Sequence, residues 1–558
     1  MFEKKALLCL GGSIIPRAAS SFSSVAITIN DTSPAQAACR ALQSQHTSAT
    51  FFSNSTTYVQ DNTDYWSQAS ALEPACIFAP SHAEELGDAV KILKAFGSPF
   101  AMRGGGHMPI GDFNNIDSTG VLLSSSGFKQ LELEDDGESV HVGPSNHWQD
   151  VSKYLEPYGK IVVGGRLGIV GIPGFVTGGG ISFFSAEYGW ASNNVKSYTV
   201  SICQTKLRGV HTDDGFQVIL ADGSVAKVAP NNSYADLFWA LRGGGNSFAL
   251  VTDLELSTYD VPVVSVGITT HANSTNSSSY YENVVDFALD GQTADKKASV
   301  IPVVNTGNTP AQSGSVSFTT YRFWGGNVSE EFESGSPESL SYFVEPKLQV
   351  DKDTFSPKSM HEWSEETAPS FAATEGLRQR FYTPLTLRVG KKAQVVAALE
   401  IIHRLYFDAI SSALSDVDLW FTGLSPFPIS ANHLAASAYR NNTVCGLKIP
   451  AGDPMGIEPE NLIVVELSVS YANNASYEPI ITDFLHGMGR QIREELTREG
   501  LDELISPWIY LNDADKGQDV FGGYPKKNVE ALQQIREKYD PDRVFTDLMP
   551  GGWKVAHA

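Results

Sequence analysis

The chain has 558 residues, 42% hydrophobic and 18% charged, a composition ordinary for a globular protein and a length that exceeds one typical core. Its 40 basic and 63 acidic residues leave a formal charge of −23, which argues against a basic face for nucleic-acid phosphates. No uninterrupted apolar run approaches ~20 residues, so no membrane-spanning helix is expected.

Lys4 and Lys5 precede the apolar run Ala6-Leu7-Leu8-Cys9-Leu10, and small residues follow at Ala18-Ala19-Ser20. This reads as a cleaved secretory signal, with Cys9 leaving with it. Eight acceptor sequons fit the same route: Asn30, Asn54, Asn231, Asn273, Asn276, Asn327, Asn441 and Asn474. Of the five cysteines, Cys39 and Cys76 flank the segment before the first glycine-rich loop, and Cys445 reads as unpaired and buried. Neither Cys203 nor any other cysteine has the Cys/His spacing of a zinc site.

The spacing of Leu86, Val90, Ile92 and Leu93 predicts a helix over Ala83–Phe96. The loop Arg103-Gly104-Gly105-Gly106-His107 follows. Three glycines in a row let backbone amides approach an anion with no Cβ in the way. Strands are expected at Val140–Gly143 and Ile161–Val163, and a turn at Asp222-Gly223. Two more triplets follow, Gly178-Gly179-Gly180 and Gly243-Gly244-Gly245. Beyond about residue 260 the texture changes. Strands such as Gly314–Arg322 and Leu462–Tyr471 alternate with helices such as Val395–Leu405 and Ile480–Glu495.

One stretch fits badly. Strand logic wants Asn194–Thr199 to run straight into Val218–Gly223, yet Val200–Gln217 intervenes, eighteen polar residues without clean periodicity. Val200-Ser201 can be encoded by GTAAGT, Gln217 by CAG, and Thr212-Asp213 by ACTGAC. These are donor, acceptor and branch-point patterns of a translated, unspliced intron. A genuine surface loop is the alternative.

The ordered motifs resemble those of the vanillyl-alcohol oxidase superfamily, and within it the fungal berberine-bridge-enzyme-like FAD oxidoreductases. Four blocks carry the resemblance: Arg103–His107; Val163–Arg166 with Val170–Gly174 and Gly178–Ser182; Asp236–Asn246; and Tyr510-Leu511-Asn512 with Tyr539-Asp540-Pro541. Together they span roughly Ala37 to Lys554. The resemblance implies an α+β fold of two lobes: a PCMH-type FAD-binding domain, and a substrate domain with an antiparallel sheet backed by helices. The expected division is signal and arm at 1–36, FAD domain at 37–259, substrate domain at 260–505, and a segment at 506–558 returning to the FAD domain. It also implies that Cys39 pairs with Cys76; two buried free thiols are the alternative.

His107 occupies the position of the family's covalent tether to the flavin 8α-methyl group; the alternative is a histidine that only hydrogen-bonds near the diphosphate. Arg103 is either a loop-structuring cation or a diphosphate partner. Gly104, Gly105 and Gly106 belong to the same loop. Gly164, Gly165, Gly171, Gly174, Gly178, Gly179 and Gly180 would wrap the diphosphate and flavin edge, unless they are ordinary turns. Asn246 and Val251 would sit at the adenine end, whereas Phe238 and Trp239 read as helix-packing core. Tyr510 and Asn512 match the family's Tyr-x-Asn facing the isoalloxazine, with a packed strand-end tyrosine as the alternative. The second, cysteinyl anchor of many relatives is missing from Gly165-Arg166-Leu167-Gly168, which implies one covalent link.

A proton acceptor for a substrate OH or NH would come from the substrate sheet, with Tyr382, His433 and Tyr439 as candidates. Each of the three, taken singly, reads more readily as a structural residue than as a catalytic one. Glu187 and Tyr188 are nearer the glycine loops and can shape the pocket. The implied activity is hydride transfer from a small-molecule alcohol or amine, as in secondary metabolism, with molecular oxygen as acceptor. A dehydrogenase using another acceptor, or a flavoprotein that templates a cyclisation, are the alternatives. The oligomeric state is unknown from sequence.

Overall fold

Short apolar runs broken by glycine turns give the first half of the chain three small sheets, each packed by few helices. A computed structural model describes residues 33–197, 216–307, 316–333, 335–438 and 450–558. The first sheet holds β1 (Thr50–Phe51), β2 (Cys76–Phe78), β3 (Phe100–Arg103) and β4 (Val121–Ser124), in the order β1-β2-β4-β3. The helix Ala83–Phe96 forms as the apolar spacing predicts. Glu85 accepts the N–H groups of Ser81 and His82 at its start, and Gly97 ends it at φ +61°. Leu86, Val90 and Leu93 bury its inner face.

The second sheet joins β5 (Leu131–Leu133), β6 (Ser139–Val142), β7 (Lys160–Val162) and β8 (Val195–Ser197) around β12 (Leu254–Asp260). The third is β10 (Val225–Val228), β9 (Phe216–Ile219) and β11 (Leu250–Val251), in that order. In this chain β8 and β9 lie in separate sheets, and residues 198–215 between them lie outside the described residues. Counted from Leu256, the two ladders agree in register, although the Glu255–Ser197 pair nearer the break is one residue out. Val195 faces Leu256 and Val218 faces Val251, and five steps back from Leu256 reach Val251. Five steps forward from Val195 reach Val218 when Val200–Gln217 are skipped.

The second half is dominated by one antiparallel sheet. Its strands are β13 (Val264–His271), β14 (Ala298–Gly307), β15 (Val316–Trp324), β16 (Val350–Asp353), β17 (Ser356–Lys358), β18 (Arg378–Arg388), β19 (Leu419–Ile429), β20 (Leu462–Tyr471) and β21 (Ile505–Ser506). The order is β16-β13-β15-β14-β19-β20-β18-β21, with β17 also on β13. Period-two alternation gives this sheet two faces. On β20, Ile463, Val465, Leu467 and Val469 join the core under the helices Lys392–Ala413 and Glu478–Arg498. Leu462 and Val464 face the other way, into a core shared with Trp190, Trp508 and Tyr510. Each such buried aliphatic contributes about 1.5–3 kcal/mol.

After Ser506 the chain returns to the first half. Tyr510 and Leu511 join the core of Trp148 and Val176, and Val544 and Phe545 pack with Phe78 and Phe100. Mixed α and β elements with a separate sheet-rich lobe follow the expected fold class.

Cys39 and Cys76 form a disulfide between the helix Pro34–Gln45 and β2, closing a loop with a sequence separation of 37. Cys203 and Cys445 lie outside the described residues. Cross-linking a loop of this length stabilises by about 3–4 kcal/mol in the chain-entropy account. The double variant Cys39→Ala/Cys76→Ala is expected to release the N-terminal helix to limited proteolysis well below the main melting transition. An unchanged cleavage rate would remove that role from the bond.

Candidate active site

A cavity lies where the glycine loops, the returning segment and the β18–β20 part of the large sheet meet. Gly104, Gly105, Gly106 and His107 form one wall. Gly171 and Gly174, from the start of the helix Ile172–Thr177, form the floor with Asn246 and Val251 at one end. Phe381, Glu466, Tyr510 and Asn512 close the other.

The first glycine loop is held from behind. Arg103 ends β3, and its guanidinium donates to the Asp64 carbonyl at 2.7 Å and to the Asp64 carboxylate. It also pairs with Asp61 at 3.4 Å and lies over Tyr65. Arg103 is thus a loop-structuring cation and does not line the cavity. Gly106 sits at φ +69°, and a Cβ there would come within 2.8 Å of the Asp64 carbonyl. Gly105 and Gly171 cross so closely that a Cβ on Gly105 would lie 2.5 Å from the Gly171 Cα.

The loop delivers His107 flat against Trp66, with ring centroids 4.4 Å apart and planes inclined by 16°. Its Nδ1 is buried with no hydrogen-bond partner. Burial, and then the neighbouring His147, push its pKa down to about 3, so the ring is neutral at any working pH. A fixed, neutral imidazole with an unused nitrogen is the form a nucleophile needs.

The second glycine group divides. Gly171 and Gly174 face the cavity, and a Cβ at Gly174 would meet nothing within 4 Å. Gly164 and Gly165 do not; both seat the indole of Trp148, where a Cβ would come within 2.4 Å of the ring. Gly178, Gly179 and Gly180 also lie behind the wall. They make room for Asn512, Met455 and Phe175 respectively, Gly179 and Gly180 at positive φ. These five glycines serve close packing of the wall, which corrects the expectation that they wrap the diphosphate.

Tyr510 is 2% exposed. Its hydroxyl accepts from the Ile181 N–H at 3.0 Å and from Asn512 Nδ2 at 2.9 Å. Asn512 Nδ2 also donates to the Phe175 carbonyl at 3.0 Å. Burial raises the phenol well above its ordinary pKa, so Tyr510 can donate its proton in a hydrogen bond but is a poor base.

The titratable centre of the cavity is one that sequence reasoning missed. Glu466 comes from the middle of β20, on the face of Leu462 and Val464, and Asp513 from the segment after Asn512. Desolvation and Asp513 push Glu466 up to about 8; desolvation pushes Asp513 up to about 6. Between them acts Arg166, its guanidinium over the Phe427 ring at 4.7 Å, and its charge lowers both. Two enclosed carboxyls, both raised by burial and set against one cation, are arranged to share a proton, the condition for acid–base work. The signal in sequence was a lone glutamate inside the apolar strand Leu462–Tyr471.

The other candidates lie elsewhere. Tyr382 follows Phe381 on β18; Phe381 faces the cavity, so Tyr382 faces the helix Glu478–Arg498 on the reverse side. His433, on the helix Ala431–Ala438, packs on Trp190 at 4.1 Å and does not line the cavity. Tyr439 lies outside the described residues. Glu187 is exposed, and Tyr188 stacks on Tyr259; neither lines the cavity. Phe238 and Trp239 are buried in the core, as read.

The residues present fit FAD on three observations: an unpartnered nitrogen at His107, an open glycine floor at Gly174, and walls that are mostly apolar and backbone. A family model described as an FAD binding domain matches residues 74–208. The FAD-dependent monooxygenase prx3 of Penicillium roqueforti is 30% identical over 540 residues, covering 93% of this chain and 94% of that protein. The bifunctional solanapyrone synthase of Alternaria solani is 30% identical over 523 residues, covering 93% and 89%. Among solved structures, glucooligosaccharide oxidase of Acremonium strictum, described with a 6-S-cysteinyl, 8α-N1-histidyl FAD, superposes with a TM-score of 0.67. It is 18% identical, covering 91% of this chain and 97% of that one.

Proposed function

The chain belongs to the FAD-linked oxidoreductases with a PCMH-type FAD-binding fold, related to the berberine-bridge-enzyme-like fungal enzymes. From that premise we propose an oxidase of a small-molecule alcohol or amine, a secondary metabolite, with FAD tethered once through His107 and molecular oxygen as acceptor. The observation that carries the reading is the neutral, unpartnered His107 at one wall of a cavity whose opposite wall holds Glu466 and Asp513.

FAD, when bound, supplies the two-electron acceptor for a substrate hydride. The chain supplies position and a proton path. Glu466 takes the proton from the substrate OH or NH, and Asp513 shares it. Arg166 keeps at least one carboxyl of the pair ionised by its field. Tyr510 and Asn512 would orient the flavin ring by hydrogen bonding. Trp66 fixes the plane of His107.

Precipitation with acid tests the tether. Yellow pellet from the wild type, and free flavin from His107→Ala with none left in the pellet, is the expected result. Flavin released from the wild type would make His107 a non-covalent contact. Peroxide formed in step with substrate loss would support the oxidase. The name of the Penicillium relative favours a second reading, oxygen insertion. Labelled oxygen found in the product would replace the oxidase with that one.

The same reading places the protein in the secretory pathway. The Cys39–Cys76 disulfide supports this. So does exposure of Asn54, Asn231, Asn273, Asn276 and Asn474, five of the six sequon asparagines among the described residues. A glycosidase-induced mass shift of protein from the native source would test it; no shift would argue for another compartment.

A further inference from the structure

A second recess, of about 350 Å³, opens on the reverse side of the large sheet, between β18 and the helix Glu478–Arg498. It is lined by Tyr382, His486, Arg493, Gln518 and Asp519. Arg490 stands one turn before Arg493 on the same helix, and its charge reaches the Tyr382 phenol. Neither guanidinium has a hydrogen-bond or ion-pair partner among the described residues. In a chain with 63 acidic side chains against 40 basic ones, an unpaired arginine lining a recess, with a second exposed one turn away, is unexpected.

The other groups are arranged around them. The Tyr382 hydroxyl is pressed against Gly489, where a Cβ would lie only 2.0 Å from it. A glycine inside a long helix forgoes the helix propensity of alanine, and here it admits the phenol to the recess that Arg493 lines. The Tyr382 ring packs on His486 at 5.1 Å. His486 Nε2 lies 3.1 Å from Asp515, and that carboxylate is fully buried and also takes two bonds from Arg380. Asp515 is thus satisfied within the wall and does not neutralise the arginines. The remaining carboxylate, Asp519, accepts the Gly522 N–H at 2.8 Å.

We propose that this recess binds a small oxyanion-bearing metabolite, phosphorylated or carboxylated, held by Arg493 with the Tyr382 hydroxyl as second donor and the charge of Arg490 one turn away. Guanidinium groups take such oxygens in pairs, and a phenol adds a neutral donor without adding charge. The site is separate from the flavin cavity. Phe381 lines that cavity and Tyr382 lines this recess, one residue apart on opposite faces of β18.

The test is titration calorimetry and thermal melting of the flavin-loaded full-length protein with pyrophosphate and with citrate, against sodium chloride at matched ionic strength. Saturable heat and a rise in Tm with one probe are expected, and which probe acts separates a phosphorylated from a carboxylated ligand. Arg493→Gln should weaken the binding about tenfold, and Arg493→Lys less. Asp519→Asn should tighten it, a change that mere loss of structure would not produce. Flavin content and visible spectrum should be unaltered in all three. No response beyond chloride, or a response unchanged in the Arg490→Gln/Arg493→Gln double variant, would overturn the proposal.

Discussion

Replacing Glu466 by glutamine is expected to lower kcat by about 10²–10⁴, the range for loss of a positioned general base. The flavin should stay bound and its spectrum unchanged. Glutamine keeps the shape of the side chain on β20, so folding is spared, while the proton acceptor is lost. The wild-type rate should rise with pH as the Glu466–Asp513 pair loses its shared proton, because the ionised form is the base. That acid limb should vanish in the variant. Removal of Asp513 by Asp513→Asn deletes a negative neighbour that raises Glu466, so the limb should move to lower pH. Removal of Arg166 by Arg166→Gln deletes the cation that lowers it, and the limb should move to higher pH. Equal kcat in wild type and Glu466→Gln, or shifts of the opposite sign in the other two, would dismiss the pair as the base.

A chain lacking Val200–Gln217 is expected to fold more stably and to carry more flavin than the full sequence. The two strands flanking the deletion, β8 and β9, pair with the run β11–β12 in registers that agree when counted from Leu256 and differ by one residue at Glu255, where β8 has an irregularity. Joining Thr199 to Val218 lets Val195↔Leu256 and Val218↔Val251 belong to one ladder, with the irregularity at Glu255 retained. An eighteen-residue connection carries a closure cost of about 2.5 kcal/mol, which the shortened chain does not have. The result to look for is a higher Tm and more flavin per protein, with a spliced transcript that lacks these codons. A shortened chain that melts lower or binds no flavin would establish the segment as a true part of the protein.

The outline of the fold was legible because long periodic elements declare themselves. The helix at Ala83–Phe96 and the strand at Leu462–Tyr471 lie where the pattern placed them. The motifs located the cavity as well, since His107, Gly174, Asn246 and Tyr510 all reach it. Which glycine faces a ligand and which faces a side chain was not legible. Gly164 and Gly165 are glycines because Trp148 needs their space, and Trp148 stands fifteen or more residues away in sequence. The choice of base failed for a different reason. Tyr382 and Phe381 differ by one step in a period-two strand, and hydrophobicity does not tell which face an aromatic residue takes. Glu466 was visible as an exception inside an apolar run, but its partners, Asp513 and Arg166, come from distant segments that only the fold brings together.

The central strands of the large sheet behave as a panel printed on both sides. Ile463, Val465 and Leu467 hold the helices behind the sheet, while Leu462 and Val464 join the core on its other face and Glu466 reaches the cavity there. Changing a residue of this face that reaches the cavity, such as Phe381 on β18, would therefore alter what the enzyme accepts while leaving the core behind the sheet intact. A lineage could retarget such an enzyme along one strand without rebuilding the helices behind it, and a laboratory library could be drawn the same way.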